Sequence, residues 1–222
     1  MKNRLRNLER TNNFKFSIIN DMKKIIKFSF VFLVLTGSVF CQDVFDKIKK
    51  DLSQAKCIKL EFTSIIESDI FETIDSIPGK SIISNDDKYK ISIGDDIYIN
   101  DKLNLYSYSI ENNQVIIEKA ENSSEGIGEI TFLKKLDKLF NTTIIIKNKK
   151  YRLTKKINVK SELPDSMLVV LNHKKKIIEK IIYSDMNDDR NTILIKSIDI
   201  LSPCVPDDFI PNFPESADRI KL

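Results

Sequence analysis

Short apolar segments, separated by turn signals of two or three residues, constrain the fold of this chain most strongly. From Ile58 the sequence alternates apolar and polar residues, with Leu60 and Phe62 continuing the apolar set. The breaks between segments are Pro78-Gly79, Asn85-Asp86-Asp87, Gly94-Asp95, Asn100-Asp101 and Asn112-Asn113. Connections this short suit antiparallel neighbours, because parallel strands need a crossover of a dozen or more residues. The pattern therefore predicts an antiparallel β-meander.

Two helices interrupt the strand pattern. Asp43–Lys56 is predicted to be a short amphipathic helix, with Val44, Phe45, Ile48 and Leu52 on one face. Glu129–Phe140 carries Ile130, Leu133, Leu136, Leu139 and Phe140 at helical spacing, and Gly126 and Gly128 precede it as hinges. After the strand at Ile58, the predicted strands are Ile70–Ile77, Lys80–Ser84, Lys88–Ile93, Asp96–Ile99, Asn104–Ile110, Gln114–Lys119, Thr143–Ile146, Tyr151–Lys155, Met167–Leu171, Ile177–Tyr183 and Thr192–Ile200. The tail Pro203–Leu222 holds four prolines and is predicted to be irregular.

Doubled apolar residues recur inside the predicted strands, where a sheet with one wet face would alternate cleanly. The pairs are Ile65-Ile66, Ile82-Ile83, Ile116-Ile117, Val169-Val170, Ile177-Ile178 and Ile181-Ile182. They indicate that parts of both sheet faces are covered. Two interpretations stay open: codon bias with an ordinary core, or a curved sheet whose concave side has more apolar surface than one helix can fill.

The N-terminal segment has the layout of a secretory signal peptide. Lys23, Lys24 and Lys27 precede an eight-residue apolar run at Phe28–Leu35, which is far shorter than the roughly 20 residues of a membrane-spanning helix. We expect residues 1–21 to be an upstream extension, residues 22–41 to be the signal peptide with cleavage before Gln42, and residues 42–222 to form one domain in the periplasm. The alternative is lipidation at Cys41, although the large Phe40 precedes it.

The basic character of the chain belongs to this leader. The first 41 residues hold eight of the 36 basic and two of the 32 acidic residues, which leaves 28 basic against 30 acidic in the rest. Nucleic-acid binding therefore has no compositional support.

Catalytic and metal-binding patterns are also missing from the sequence. His173 is the only histidine and lies at a predicted hairpin turn. Asp185, Asn187 and Asp189 imitate a calcium loop, but Arg190 takes the glycine place and Lys196 the bidentate glutamate place, so an acidic turn is the better interpretation. We expect no metal, no cofactor and no catalytic residue, and therefore no enzyme.

Two stretches carry a family resemblance. The residues 100–108, Asn-Asp-Lys-Leu-Asn-Leu-Tyr-Ser-Tyr, resemble the Ser-Asp-Gly-Lys-x-Leu-Trp-x-Tyr pattern of the outer-membrane lipoprotein carrier (LolA) family, with Tyr106 in the Trp place and Lys102 in the Gly place. The residues 208–214, Asp-Phe-Ile-Pro-Asn-Phe-Pro, are similar to its terminal signature. Weaker matches in the same order extend the resemblance over nearly all of residues 42–222.

The resemblance implies an incomplete antiparallel β-barrel of the mainly β (α+β) class, with an N-terminal helix and a lid helix, Glu129–Phe140, over an apolar cavity. It implies a monomeric periplasmic carrier of acylated lipoproteins, loaded by an inner-membrane ABC transporter complex and unloaded by an outer-membrane acceptor. Well-studied members hold the lid shut with an arginine, and Asn85 stands at that position here. The alternatives are a lipid-anchored acceptor of the same fold if Cys41 is acylated, a periplasmic lipid or lipoprotein sensor, and an enzyme acting on lipid.

The predicted lipid-binding residues are one alternation set from the strands together with two lid residues. They are Leu60, Phe62, Tyr89, Ile91, Ile93, Tyr106, Tyr108, Val169 and Leu171, with Leu133 and Leu136 from the lid. An error of one residue in the parity of a strand would move its members to the opposite face. Cys57 and Cys204 remain after cleavage, and either a disulfide between them or two separate buried thiols fits an exported protein.

Overall fold

The computed structural model describes residues 43–68, 70–120 and 130–222. The predicted signal peptide, Cys41, Gly126 and Gly128 lie outside these ranges. Contacts between Cα atoms group residues from Asp43 to Leu222 into one compact unit. Within the described ranges, none of the helices combines the length and the apolarity needed to cross a membrane.

Helix α1 spans Val44–Gln54 and agrees with the predicted helix Asp43–Lys56. Asp43 begins it, because its carboxylate accepts a hydrogen bond from the backbone N–H of Phe45 at 2.8 Å. The buried side of the helix presents Phe45, Ile48 and Leu52, at the spacing of a single helical face.

In the described part of the chain, twelve strands form one sheet in the order β12-β6-β5-β4-β3-β2-β1-β11-β10-β9-β8-β7. In chain order they are β1 Cys57–Ser68, β2 Thr73–Ser84, β3 Tyr89–Ile93, β4 Asp96–Asn100, β5 Asn104–Ser109, β6 Gln114–Lys119, β7 Phe140–Ile146, β8 Lys150–Lys155, β9 Ser166–Asn172, β10 Ile177–Ser184, β11 Arg190–Asp199 and β12 Asp218–Lys221. All neighbours are antiparallel except β12 and β6. Since β12 and β7 end the order without pairing to each other, the sheet is an incomplete β-barrel, as predicted.

The strand register assigns each residue to one of two faces, because directly paired residues point to the same side. Phe62 lies opposite Gly79, Gly79 opposite Ile93, and Ile93 opposite Asp96. We call this side the inner face, and the side that carries Glu61 and Lys80 the outer face. The main hydrophobic cluster lies on the inner face, where buried residues of β1, β2, β3 and β7 to β11 pack together with residues of α1.

The predicted helix Glu129–Phe140 is shorter and less regular in the structure, and Glu129 lies outside the described residues. A 3₁₀ helix at Thr131–Lys135 leads into helix α2 at Leu136–Leu139, and Phe140 already begins β7. Ile130, Leu133, Leu136 and Leu139 recur every three positions. Residues at this spacing lie on one side of a 3₁₀ helix as well as of an α-helix, so the sequence pattern fits both. We call residues 130–139 the lid segment.

Pro78-Gly79 was predicted as a turn, and that prediction is wrong. Both residues lie inside β2, which continues from Thr73 to Ser84. Glycine is required there by packing, since a Cβ on Gly79 would stand 2.4 Å from the Phe62 ring. The preceding turn therefore includes residues 70–72, and Ile70 and Phe71 are turn residues instead of strand residues.

The C-terminal tail is also more regular than predicted. A 3₁₀ helix forms at Pro206–Phe209, and the last residues form β12, which pairs with β6 in parallel. Phe213 and Ala217 pack with Tyr108 and Val115 in a second hydrophobic cluster. These four side chains close the outer face over β5 and β6, which agrees with the prediction that both faces are partly covered.

Candidate functional site

The inner face is the candidate site, and it brings together nine of the eleven predicted lipid-binding residues. Seven are buried in one cluster: Leu60, Phe62, Ile91, Leu133, Leu136, Val169 and Leu171. Tyr89 and Ile93 are partly buried and pack against that cluster. In this structure the lid segment and α1 cover these strand residues, so a ligand must displace a covering element to reach them.

Tyr106 and Tyr108 do not lie on the inner face, which corrects the predicted set. Tyr108 is paired with Ile97, which continues the row of Lys80 and Glu61 on the outer face. The ring centroids of Tyr106 and Tyr108 lie 6.1 and 5.1 Å, respectively, from the ring centroid of Phe213. The parity of β5 is shifted by one residue relative to the prediction, and a shift of one moves every side chain of a strand to the other face.

Polar residues bound the apolar part of the inner face on one side. The row that contains Ile91 continues into Tyr98 of β4, Ser107 of β5 and Ile116 of β6. The row of Ile93 continues into Asp96 and Ser109. The continuous apolar surface therefore ends at β4 on this side, and on the other side it extends through β1 to Phe140 of β7.

The N-terminal end of α1 is fixed to the sheet by Tyr151. The phenol donates to Asp43 Oδ1 at 2.6 Å and accepts from the backbone N–H of Asn148 at 2.8 Å. Burial, and then the hydrogen bond to Asp43, raise the pKa of Tyr151. The ring also stacks against Phe45 with centroids 4.6 Å apart. α1 is therefore held at its start by Tyr151 and at its end by its short connection to β1.

Lys134 joins the lid segment to the sheet. Its Nζ atom donates to the backbone carbonyl oxygens of Ala55 at 2.8 Å and Ser84 at 3.0 Å. Burial lowers the pKa of Lys134. The resemblance predicted a missing or different lid contact at Asn85. In the structure, the lid segment reaches this region through Lys134, which bonds to the carbonyl of Ser84, the residue before Asn85.

Two further contacts hold α2 in place. Lys49 of α1 is 8% exposed, and its Nζ lies 2.7 Å from Asp137 Oδ1. Burial alone would lower the pKa of Lys49, but hydrogen bonds to Asp137 and Asp46 outweigh it and the pKa is raised. Lys156 donates to the backbone carbonyl of Asp137 at 2.6 Å. Lys49 and Lys134 are not among the residues predicted from the sequence. For Lys49 the available signal was its position on the same helical face as Phe45, Ile48 and Leu52.

Ser81 is a polar exception inside the apolar inner face. It is 1% exposed and lies between Leu60 and Ile91 in the strand register. Its hydroxyl has no hydrogen-bond partner in the structure. A buried hydroxyl without a partner costs about 1–3 kcal/mol, so this atom is an available donor for a polar group on a bound ligand.

Cys57 and Cys204 are bonded to each other, with their Cα atoms 5.2 Å apart and 147 positions apart in the sequence. Cys57 pairs with Ser84, which places it on the outer face beside the inner-facing Ile58. The bond therefore attaches the start of the C-terminal tail to the outer face at β1.

The described residues contain no group of three or more His, Cys, Asp or Glu side chains placed to hold a metal ion. His173 is exposed at the turn between β9 and β10, as predicted. What the site offers chemically is a large apolar surface, one unpaired hydroxyl and a cover held by lysines.

Comparisons with known proteins give structural likenesses only. No family model matches the sequence, and no curated protein matches it. The similar solved structures include an uncharacterized conserved protein from Thermus thermophilus, with 8% identity, a TM-score of 0.48 and coverage of 81% of this chain and 97% of that one. A LolA superfamily protein from Nitrosomonas europaea has 8% identity, a TM-score of 0.39 and coverage of 76% and 96%. LprF from Mycobacterium bovis has 8% identity, a TM-score of 0.44 and coverage of 75% and 95%. At these identities none of the names extends to the function of this chain.

Proposed function

We propose that this protein is a periplasmic carrier that binds the acyl chains of lipoproteins on the inner face of its sheet and transfers them from the inner to the outer membrane. Binding requires the lid segment to move aside, so that acyl methylenes replace its apolar side chains against the strands. An inner-membrane ABC transporter would load the protein, and an outer-membrane acceptor would receive the cargo.

The observation that carries the proposal is the way the inner face is covered. The lid segment has two short helical pieces, and neither has a side-chain cap at its N-terminus. Yet Leu133 and Leu136 are buried with the strand residues in one cluster. A short element in that position is removed more easily than a strand, while the surface beneath it is as apolar as a protein core.

Ser81 supports an acylated ligand over a purely hydrocarbon one. The acyl chains of a lipoprotein end in ester or amide carbonyls, which accept hydrogen bonds. The unpartnered Ser81 hydroxyl lies among the apolar residues that would contact the chains. Bonding to a ligand carbonyl would recover the cost of burying this hydroxyl.

A displacement assay tests the proposal. An apolar fluorescent dye is bound to the purified protein and then challenged with a triacylated lipopeptide, the same peptide with one acyl chain, and the unacylated peptide. The triacylated form should displace the dye at micromolar concentrations or below, and the unacylated peptide should not. A matched control, Leu103→Ser, removes a side chain that is 76% exposed away from the inner face and should leave the titration unchanged.

Equal displacement by acylated and unacylated peptides, or dye that does not bind, would contradict the binding step. The transfer step needs a second measurement, in which labelled lipoproteins are released from inner-membrane vesicles by the protein and recovered in outer-membrane vesicles. Binding without such transfer would leave a lipid-binding protein and remove the carrier role.

A further inference from the structure

Two hairpin turns lie side by side at one end of the sheet. β1 and β2 are joined through residues 69–72, and β10 and β11 through residues 185–189. Because β1 and β11 are neighbours, Glu67 is paired with Arg190, and their side chains form an ion pair at 3.3 Å. The two turns therefore present one continuous surface, which we call the acidic hairpin end: residues 66–68, 70–76 and 184–191.

Large apolar side chains are exposed on this surface. Ile70, Phe71 and Ile74 are 73%, 74% and 72% exposed, and Met186 is 100% exposed. Single exposed apolar residues are common on proteins, but a group on adjoining turns is typical of an interaction site. An aromatic side chain such as Phe71 contributes most to the free energy of binding when it is buried against a partner.

The turn that carries Met186 is well structured. Asp185 Oδ1 accepts hydrogen bonds from the backbone N–H of Asn187 at 2.8 Å and of Asp189 at 3.1 Å. Its other oxygen accepts from the side chain of Asn191, which is 5% exposed, at 3.0 Å. Asp185 thus organises the turn from inside, so the backbone that carries Met186 is already ordered before a partner binds.

Charge restricts what this surface can bind. The described residues of this surface include six acidic residues and one basic residue, Arg190. Such a surface repels anionic lipids and nucleic acid, whereas cationic groups beside an apolar strip are attracted to it.

We propose that the acidic hairpin end is a docking surface for a protein partner, whose contact surface is an apolar strip flanked by lysine and arginine. Phe71 and Met186 enter the apolar strip, and the carboxylates around them pair with the flanking cations. This inference does not depend on the proposed lipid binding, since the acidic hairpin end lies beyond the covered inner face.

The first test uses a designed amphipathic helical peptide with a leucine face flanked by lysines, and a control peptide with glutamate in place of each lysine. Fluorescence anisotropy with the purified protein should show binding of the lysine peptide only. Phe71→Ser and Met186→Ser should each weaken it about tenfold, as expected for residues central to an interface. Leu103→Ser is the matched control, with an equally exposed side chain on a different turn, and should bind like the unchanged protein.

The second test places a photo-cross-linking residue at position 71 or at position 103 of the full chain in cells. Protein adducts should form from position 71, and their cross-linked peptides should contain apolar residues beside Lys or Arg. Lipid adducts alone, equal adducts from both positions, or none from position 71 would overturn the proposal. So would binding of the glutamate peptide, or unchanged affinity in Phe71→Ser. In the displacement assay Phe71→Ser should behave normally, which separates this proposal from the lipid-binding one.

Discussion

Replacing Lys134 with methionine should loosen the lid segment without changing the inner face. Methionine keeps most of the length and apolar volume of the lysine side chain but cannot donate to the carbonyls of Ala55 and Ser84. A hydrogen bond from a charged donor contributes about 1.5–3 kcal/mol net, and losing the partly buried cation also removes its desolvation cost. We therefore expect the closed lid to lose about 2 kcal/mol relative to the open state, which corresponds to about a 30-fold larger open fraction.

Under the proposed function only the open state binds an acylated ligand, so the apparent affinity depends on the open fraction. Dye or lipopeptide titrations should accordingly show an apparent Kd up to about 30-fold lower for Lys134→Met. Hydrogen exchange should accelerate at backbone amides of residues 130–139 and stay unchanged in β10. Lys135→Met is the matched control, because the neighbouring Lys135 forms a partly exposed ion pair with Asp87 at 3.4 Å, worth less than about 1 kcal/mol.

Two results would refute this reasoning. If exchange in β10 rises as much as in the lid segment, Lys134 stabilises the whole fold and does not act on the lid. If Lys134→Met and Lys135→Met bind ligand equally, the hydrogen bonds of Lys134 do not control access to the inner face.

Three further predictions concern single sites. Gly79→Ala should lower the free energy of unfolding by about 1–3 kcal/mol in denaturant titrations, because the added Cβ would overlap the Phe62 ring, and adding Phe62→Leu should recover part of the loss. Ser81→Ala should raise the free energy of unfolding by about 1 kcal/mol, because it removes a buried hydroxyl that has no hydrogen-bond partner. The same replacement should weaken binding of ester-linked lipids but not of ether-linked analogues. Replacing both cysteines, Cys57→Ser with Cys204→Ser, should lower the free energy of unfolding by about 2–4 kcal/mol. In the unsubstituted protein, thiol titration after unfolding without reductant should detect neither Cys57 nor Cys204.

The positions of most strands along the chain, and their antiparallel pairing with the next strand, could be predicted from the sequence because they depend on local periodicity and short turns. The segments from Lys88 to Lys119 alternate with short turns, and the observed strands β3 to β6 follow them closely. Pro78-Gly79 shows the limit of this reasoning. The same dipeptide serves as a turn or as a site of close packing, and only the partner strand with Phe62 decides between them.

Which face a residue occupies was harder to predict than whether it lies in a strand. The alternation of residues in β5 correctly predicts a strand, but it does not show which alternate set points inward. The turn before β5 decides this, and it places Tyr106 and Tyr108 on the outer face. The tail residue Phe213 covers them, and the pairing of the tail with β6 is a contact between segments about 100 positions apart. Lys134 was missed for the same reason, since its partners Ala55 and Ser84 are distant in the chain.

The energetics of the lid segment suggest how such a carrier would release its cargo. Opening uncovers five large apolar residues, Ile130, Phe132, Leu133, Leu136 and Leu139. At about 1.5–3 kcal/mol each, this costs roughly 8–15 kcal/mol. One buried chain of about 16 carbons returns at most about 12 kcal/mol, at about 0.8 kcal/mol for each methylene. A single chain therefore nearly balances the lid it replaces, and only additional chains supply net affinity. Since the lid closes again as the chains leave, its own burial favours release. Three fully buried chains would return about 36 kcal/mol, which exceeds the cost of the lid by too much for reversible binding, so the protein should cover its chains only partly.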